Sequence, residues 1–218
     1  MARVMDIAET SVIARLAQTR IVAVAPIDDP DQVAVTGASV ARGGVPCLEL
    51  THARLATIRA ARTVDGLLVG VANVLTPEAA ETAARGGAHY ATAPVTDMEV
   101  VHACRELELP FFPGAATASE IARLAALGIR AIRLFPVDLL GGPAFVEAVA
   151  SIHPDLWFMP SGTIGPESLR GYLKLPSVLA VAGNGLIRPD LLRIRHYERI
   201  EWLAGEAVRA RGPETYKT

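Results

Sequence analysis

Residues 46–73, PCLELTHARLATIRAARTVDGLLVGVAN, hold a helical pattern between two short apolar runs. Each run is almost uninterrupted, which is typical of a strand that is covered on both faces. The same alternation recurs along the chain, and it predicts parallel strands joined by helices. The predicted strands are RIVAVAP, PCLELT, GLLVGVAN, AHYATAP, PFFPGAA, AIRLFP, LWFMPSG and SVLAVAGN.

Eight such units close naturally into a barrel, so the predicted fold class is α/β, a single (β/α)8 or TIM barrel. We expect one domain over residues 1–218: an N-terminal helix within 1–20 that caps the barrel floor, barrel units over 21–188, and a C-terminal helix and tail over 189–218. An open, doubly wound sheet is the alternative, because periodicity alone does not distinguish the two. The glycine-rich dinucleotide fingerprint is absent after the first strand, where the chain reads AVAPIDDP, and this disfavours the open sheet.

Helix boundaries are marked by capping residues. Thr76 precedes a proline, and Thr117 is followed three residues later by Glu120, so both threonines are predicted to begin helices. Glycines at 43–44, 86–87 and 128 precede the next strands and are predicted to end helices.

The 218 residues carry a formal net charge of −2, with acidic and basic residues mixed along the sequence. This charge distribution gives no electrostatic basis for binding nucleic acid or an anionic membrane. No run approaches the roughly 18 apolar residues that span a bilayer, and the first residues lack the apolar core of a signal peptide, so we expect a cytoplasmic protein. Two cysteines, Cys47 and Cys104, are too few for a disulfide framework or a zinc site.

Glu49 and Arg133 are the charged residues deep inside the predicted strands. A charge on a covered strand is costly unless it is paired, so each needs a partner near the barrel axis, and each can serve the other. One interpretation is a structural ion pair. The other is a catalytic pair, in which a proton-transferring carboxylate lies beside a fixed cation that holds an oxyanion or carboxylate.

Further polar residues lie at strand ends, where barrel enzymes place their active sites. Asn73 is predicted to orient a substrate carbonyl or a water, and His52 to take part in acid–base chemistry, although each also suits a turn or a solvent-facing position. Asp138 is predicted to begin the next helix, and no metal-ligand pattern is present. The candidate substrate-binding residues are Thr92, Pro94, Thr117, Arg54 and Ser161.

The last two loops, PSGTIGPESL and AVAGNGLIRP, are short, contain glycine and lie between a strand and a helix. Backbone N–H groups in such turns can hold phosphate or carboxylate, while simple turn geometry explains the same residues. The candidate anion-binding residues are Gly162, Thr163, Gly183 and Asn184.

The order of LELT, GVANVLTPE, FFPGAATASE, IRLFP, PSGTIGPESLRGYL and VAGNGLIRP resembles the 2-keto-3-deoxy-6-phosphogluconate (KDPG) and 4-hydroxy-2-oxoglutarate (KHG) aldolase family. The resemblance extends from about Ile21 to the end of the chain. It implies a homotrimeric barrel of the class I aldolase type that needs no cofactor. Such enzymes cleave 2-oxo-4-hydroxy acids to pyruvate and an aldehyde through a lysine Schiff base. Glu49 matches the family's proton-shuttling glutamate.

The chain departs from the family at the Schiff-base lysine, which falls on Arg133. A guanidinium stays protonated and delocalised, so it cannot attack a carbonyl to form an imine. The family's arginine near the first strand end is replaced by Ala25-Pro26, and its substrate-binding arginine falls on Ala53, with Arg54 as a substitute. Asn73 corresponds to a threonine of the family. Gly162-Thr163 corresponds to a glycine-glycine pair of the family, and Gly183-Asn184 corresponds to a glycine-serine pair.

These departures predict an aldolase-family enzyme that acts on a small 2-oxo acid or a related acidic, sometimes phosphorylated, metabolite. Glu49 and Arg133 would supply acid–base and electrostatic catalysis without lysine. One alternative is a catalytically inactive relative that binds a metabolite or serves as an assembly subunit. Another is residual KDPG or KHG aldolase activity by a different route.

Overall fold

A computed structural model describes residues 7–51 and 54–212. Strands and helices alternate along these residues. The strands are β1 (Ile21–Ala25), β2 (Cys47–Leu50), β3 (Leu68–Val71), β4 (Tyr90–Thr92), β5 (Phe111–Phe112), β6 (Gly114–Ala115), β7 (Ala131–Leu134), β8 (Trp157–Gly162) and β9 (Val181–Gly183). The helices are α1 (Ile7–Thr19), α2 (Pro30–Arg42), α3 (Leu55–Arg62), α4 (Pro77–Gly86), α5 (Met98–Glu106), α6 (Ala118–Ala126), α7 (Pro143–Ile152), α8 (Pro166–Leu173), α9 (Pro189–Arg193) and α10 (Tyr197–Arg211).

The strands form one parallel sheet in the order β5-β4-β3-β2-β1-β9-β8-β7-β6. Its two end strands are consecutive in the chain and flank Pro113, so the sheet curls into a nearly closed barrel. The fifth strand was predicted as one element and is divided in two because proline has no N–H to donate. One segment pairs with β4 and the other with β7. The predicted TIM barrel is confirmed.

Alternate strand residues face opposite sides of the barrel wall, as the period of two requires. One set, which includes Leu48 and Ile132, packs against the surrounding helices. The other set, which includes Cys47 and Met159, fills the barrel interior together with Val12 and Leu16 of α1. The prediction that an N-terminal helix caps the floor of the barrel is therefore confirmed.

Capping residues act where the sequence places them. The Thr76 side chain accepts a hydrogen bond from the Ala79 backbone, and Thr117 forms a reciprocal capping box with Glu120. The C-terminal segment was predicted as a helix and tail from residue 189, and its described part, residues 189–212, contains two helices, α9 and α10. No helix among residues 7–51 and 54–212 is long and apolar enough to cross a membrane.

Candidate active site

A polar layer lies one step above the apolar filling of the barrel. Because inward-facing positions recur every two residues, Glu49 follows Cys47, Thr92 follows Tyr90, and Arg133 follows Ala131 toward the carboxyl ends of the strands. Ser161 follows Met159 in the same way. The four polar side chains therefore come from four different strands and converge on the barrel axis.

Arg133 is the centre of this layer. Its Nη1 donates to Oε2 of Glu49 at 2.6 Å and to Oγ1 of Thr92 at 2.8 Å, and its Nε donates to Oγ of Ser161 at 3.0 Å. Glu49 has no exposed surface, and the Arg133 side chain is 7% exposed. The predicted contact between Glu49 and Arg133 is confirmed. Such a buried pair is favourable only when its remaining polar atoms are also satisfied.

Tyr90 supplies the second partner of Glu49, and sequence analysis missed it. Its hydroxyl donates to Oε1 of Glu49 at 3.1 Å and lies 3.4 Å from the Cys47 sulfur. Burial is the largest cause that raises the pKa of the Tyr90 hydroxyl well above its ordinary value, and burial likewise raises the pKa of the Cys47 thiol to about 12. Both groups therefore stay protonated and act as neutral hydrogen-bonding groups.

Gly70 allows Tyr90 to reach Glu49. In the sheet register Gly70 lies between them, opposite Glu49 on one side and Tyr90 on the other. A Cβ at Gly70 would lie 2.4 Å from Cζ of Tyr90, so the ring occupies the space that a side chain would fill. The sequence signal was a tyrosine two residues before Thr92, which the period of two puts on the same inward face.

We expect Tyr90→Phe to lower the free energy of unfolding by about 1–3 kcal/mol, because a buried carboxylate oxygen loses its donor while the ring keeps its packing. Urea denaturation measures the change. Tyr197→Phe, at the partly buried start of α10, is the matched control and should cost less than about 0.5 kcal/mol. Equal stability of the Tyr90→Phe variant and the control would show that this hydrogen bond contributes nothing.

Above the polar layer a cavity of about 470 Å³ opens at the carboxyl ends of the strands, where barrels place their active sites. Arg133 and Ser161 contribute to its wall, whereas Glu49 and Thr92 lie beneath it. The lining residues are Val24, Thr51, Ala72, Asn73, Pro94, Arg133, Phe135, Pro136, Asp138, Leu139, Ser161, Gly162, Thr163, Ala182 and Asn184.

The guanidinium of Arg133 keeps free hydrogen-bonding capacity beside this cavity. Its Nε and both N–H groups of Nη1 are used by Ser161, Glu49 and Thr92. Among the described residues, Nη2 has no acceptor. A planar group held on one edge and open on the other suits a carboxylate or an enolate oxygen.

Several predicted site residues meet at the cavity. Asn73, Pro94, Ser161, Thr163 and Asn184 line it, as does Gly162. Asn73 has a φ of 59°, a left-handed conformation that asparagine tolerates better than most residues, so its backbone also serves the turn after β3.

Other predicted site residues lie elsewhere. Thr117 is exposed and its hydroxyl caps α6, and Arg54 is exposed at the start of α3, so neither lines the cavity. Gly183 lies against the backbone carbonyl of Ile164, and a Cβ at Gly183 would lie 2.3 Å from that oxygen. This glycine therefore allows two loops to pack closely. His52 lies outside the described residues.

Asp138 is a cavity residue, and the prediction that it begins a helix is wrong. The helix after β7 starts at Pro143, and Asp138 lies in the preceding turns with its carboxylate against Gly162. The sequence does not reveal this placement, because the segment after Pro136 has neither helical nor strand periodicity.

Neither an amine nor a metal-ligand cluster is found beside Arg133 in the described part of the chain. Lys174 is exposed at the C-terminal end of α8, and since α8 runs antiparallel to the strands, this end lies at the barrel floor. Within residues 7–51 and 54–212, no group of three His, Cys, Asp or Glu side chains is arranged to hold a metal ion.

The sequence model for KDPG and KHG aldolase matches residues 12–203. The chain belongs to the KDPG and KHG aldolase family. The 2-dehydro-3-deoxy-phosphogluconate aldolase of Pseudomonas aeruginosa is 30% identical over 88% of this chain and 89% of the relative. The KHG/KDPG aldolase of Escherichia coli is 35% identical over 76% of this chain and 80% of the relative.

Solved KDPG aldolases have the same barrel. The KDPG aldolase of Zymomonas mobilis with 3-phosphoglycerate superposes with a TM-score of 0.81, at 27% identity over 91% of this chain and 94% of that one. The KDPG aldolase of Legionella pneumophila, with pyruvate captured as a covalent carbinolamine, superposes with a TM-score of 0.83. Its sequence identity is 25% over 90% of this chain and 97% of that one. The chain is thus an aldolase-family, lyase-type barrel.

Proposed function

We propose that the cavity binds a small 2-oxo acid through the guanidinium of Arg133 and acts on it without an imine intermediate. The observation that carries this proposal is the open edge of Arg133, fixed on its other side by Glu49, Thr92 and Ser161. A group that is already held in place loses little entropy when a ligand binds, and it needs no reorganisation to stabilise a developing negative charge.

The proposal is supported by the motif resemblance, which implies that Arg133 corresponds to the Schiff-base lysine of the family. The pyruvate adduct in the Legionella protein is covalent. A guanidinium cannot form such an adduct, since it is neither deprotonated nor nucleophilic near neutral pH. In this chain Arg133 would instead stabilise an enolate by charge.

A lyase step on this design balances without a cofactor. A water molecule takes the hydroxyl proton of a 4-hydroxy-2-oxo acid, the bond between C3 and C4 breaks to release an aldehyde, and the electron pair of that bond moves onto the 2-oxo group as an enolate. Arg133 Nη2 would donate to that oxygen, and Asn73 would orient the carbonyl or a water. Return of the proton from the water to C3 then releases pyruvate.

Glu49 acts in this proposal chiefly as the counter-charge that holds Arg133. Its two carboxylate oxygens already accept hydrogen bonds from Tyr90 and Arg133, and it has no surface in the cavity. A direct acid–base role for Glu49 stays a prediction, since the guanidinium must shift before the carboxylate can contact substrate. Residence in the cytoplasm, a homotrimeric assembly and the single-domain boundaries also stay predictions.

The complete satisfaction of Glu49 favours a second candidate, a non-catalytic relative that binds a metabolite. A carboxylate with both oxygens occupied and no exposure performs a structural task without any turnover. The two candidates share the Arg133 anchor and differ only in chemistry. Glu49→Gln separates them, because an enzyme loses turnover and keeps its fold, whereas a binder has no turnover to lose.

We expect wild-type protein to bind pyruvate in calorimetry, and Arg133→Met to weaken that binding about tenfold or more, because a charge-assisted hydrogen bond is lost. Borohydride treatment with pyruvate should leave the mass of wild-type protein unchanged. Cleavage of a 4-hydroxy-2-oxo acid, followed as released pyruvate, tests the lyase step.

Arg133→Lys is the positive control for trapping, because it restores an amine at this position. A borohydride adduct on wild-type protein would refute imine-free chemistry and favour residual aldolase activity by another route. Pyruvate binding that is equal in wild type and Arg133→Met would remove the anchor on which the proposal depends.

A further inference from the structure

An exposed basic corner joins α9 to α10. It consists of Arg193, Arg195, His196 and Arg199, and all four residues are exposed. Ile194, which is 65% exposed, lies within the same corner. None of these residues lines the cavity at the carboxyl ends of the strands, so the basic corner is a separate feature of the surface.

The basic corner has few partners within the protein. In the part of the chain that the structure describes, the side chains of Arg193 and Arg195 form neither an ion pair nor a hydrogen bond. The guanidinium of Arg199 lies over the ring of Trp202, with Cζ 3.8 Å from the ring centroid. Glu198 is the acidic residue of the stretch 193–199, so positive charge exceeds negative charge there.

The stability of the helices does not explain this charge. Arg193 ends α9, where a positive charge is favourable beside the negative end of the helix dipole. His196 is the N-cap of α10, and Arg199 lies in the first turn, where the positive end of the dipole makes a cation unfavourable. Residues whose charge opposes the local helix preference are typical of functional surfaces.

The backbone holds the basic corner in one shape. The amide of Arg195 donates to the carbonyl of Leu192 at 3.1 Å, and the amide of His196 donates to the carbonyl of Leu191 at 2.9 Å. Both leucines are buried, so these bonds attach the corner to the core. Arg195 has a φ of 53°, in the left-handed region that a long side chain rarely adopts. A surface that is already formed loses little conformational entropy when a partner binds.

We propose that the basic corner binds a short acidic segment of another protein, in which carboxylates flank an apolar side chain. Arginine suits this partner, because its planar guanidinium pairs with a carboxylate through two parallel hydrogen bonds. The exposed side chains of Ile194 and Trp202 supply the apolar contact. This role goes beyond the function proposed for the cavity and does not depend on it.

The charge around the basic corner favours a short segment over a larger polyanion. Glu198 is exposed in the first turn of α10, Glu206 lies further along the same helix, and the whole chain has a formal net charge of −2. A nucleic acid or an anionic membrane presents negative charge over a wider area than the corner, so it would also meet these carboxylates.

Trp202 can report binding, because it lies beside the basic corner and is one of two tryptophans in the chain. In Trp157→Phe protein, a synthetic glutamate-rich peptide with a central phenylalanine should change the Trp202 emission, and the titration gives its Kd. The additional charge reversal Arg193→Glu/Arg195→Glu should raise that Kd about tenfold or more, because carboxylates would then face carboxylates.

The matched control is Arg59→Glu/Arg105→Glu in the same Trp157→Phe protein. It makes the same change in net charge at exposed arginines of α3 and α5, and it should leave the Kd unchanged. Urea midpoints of the two charge-reversal variants should agree with that of the Trp157→Phe parent, since exposed substitutions change stability little.

Three results would overturn this assignment. One is a Trp202 emission that stays constant up to about 1 mM peptide, where even weak specific binding is visible. Another is an equal Kd in Arg193→Glu/Arg195→Glu and in the control. The third is tighter binding of single-stranded DNA or phosphatidylserine vesicles than of the peptide, lost on the same charge reversal, which would assign the corner to that polyanion instead.

Discussion

Arg133→Met is expected to lower the free energy of unfolding by about 3–5 kcal/mol, because it leaves the Glu49 carboxylate buried without its counter-charge. Methionine fills much of the space of the arginine stem, so the loss reports the charge more than a cavity. The measurement is urea denaturation at constant pH and ionic strength. A desolvated carboxylate cannot recover its hydration, and this is the source of the large effect.

Two controls define the origin of that loss. Arg42→Met removes an ion pair with Glu201 in which the side chains are 58% and 38% exposed, and it should cost at most about 1 kcal/mol. The double variant Arg133→Met/Glu49→Gln should be more stable than Arg133→Met alone, since no charge is left buried. A cost for Arg133→Met no greater than for Arg42→Met would show that the buried ion pair contributes no more to stability than the exposed one.

Gly114→Ala is expected to cost about 3 kcal/mol or more, because the new methyl group would collide with backbone atoms. A Cβ at Gly114 would lie 2.1 Å from the carbonyl carbon of Pro94 and 2.2 Å from its oxygen. These atoms belong to the segment after β4 and have no rotamer by which to move aside. The substitution also lies where β5 and β6 meet, so it acts on the closure of the barrel.

Gly205→Ala is the matched control for Gly114→Ala. It lies in α10, where the nearest atom to a new Cβ is 3.4 Å away on the flexible side chain of Arg209, and the change should stabilise by about 0.4–1 kcal/mol. Urea midpoints for both variants give the comparison. If the Gly114→Ala variant is recovered only as unfolded protein, the expected destabilisation is at its largest. A urea midpoint equal to that of wild-type protein would contradict the prediction.

Much of the fold is predictable from short-range patterns. The apolar runs around Leu48 and Ile132 predicted buried parallel strands, and the caps at Thr76 and Thr117 act as predicted. The division of the fifth strand at Pro113 was missed, because the run FFPGAA reads as one apolar segment. Only the pairing of its two halves with different neighbours reveals the break.

The candidate site was predictable in part. Glu49 and Arg133 stood out because charges are rare in covered strands, and their contact follows from the cost of burying either one alone. Tyr90 was missed because its reach to Glu49 depends on the missing side chain of Gly70 in the strand between them. Asp138 was missed because irregular turns carry no periodicity from which a side-chain direction follows.

The sequence by itself determined the alternation of buried parallel strands and helices, the positions of the charged strand residues and the arginine at position 133, because these follow from local periodicity and residue chemistry. Only the tertiary structure decided that Arg133 covers Glu49 and faces the cavity while Asp138 lies against Gly162. Glu49 and Arg133 are 84 residues apart in the chain, and the closure of the barrel brings them to one axis. The packing of all the strands together decides which of two paired side chains is exposed. No local sequence pattern predicts this exposure.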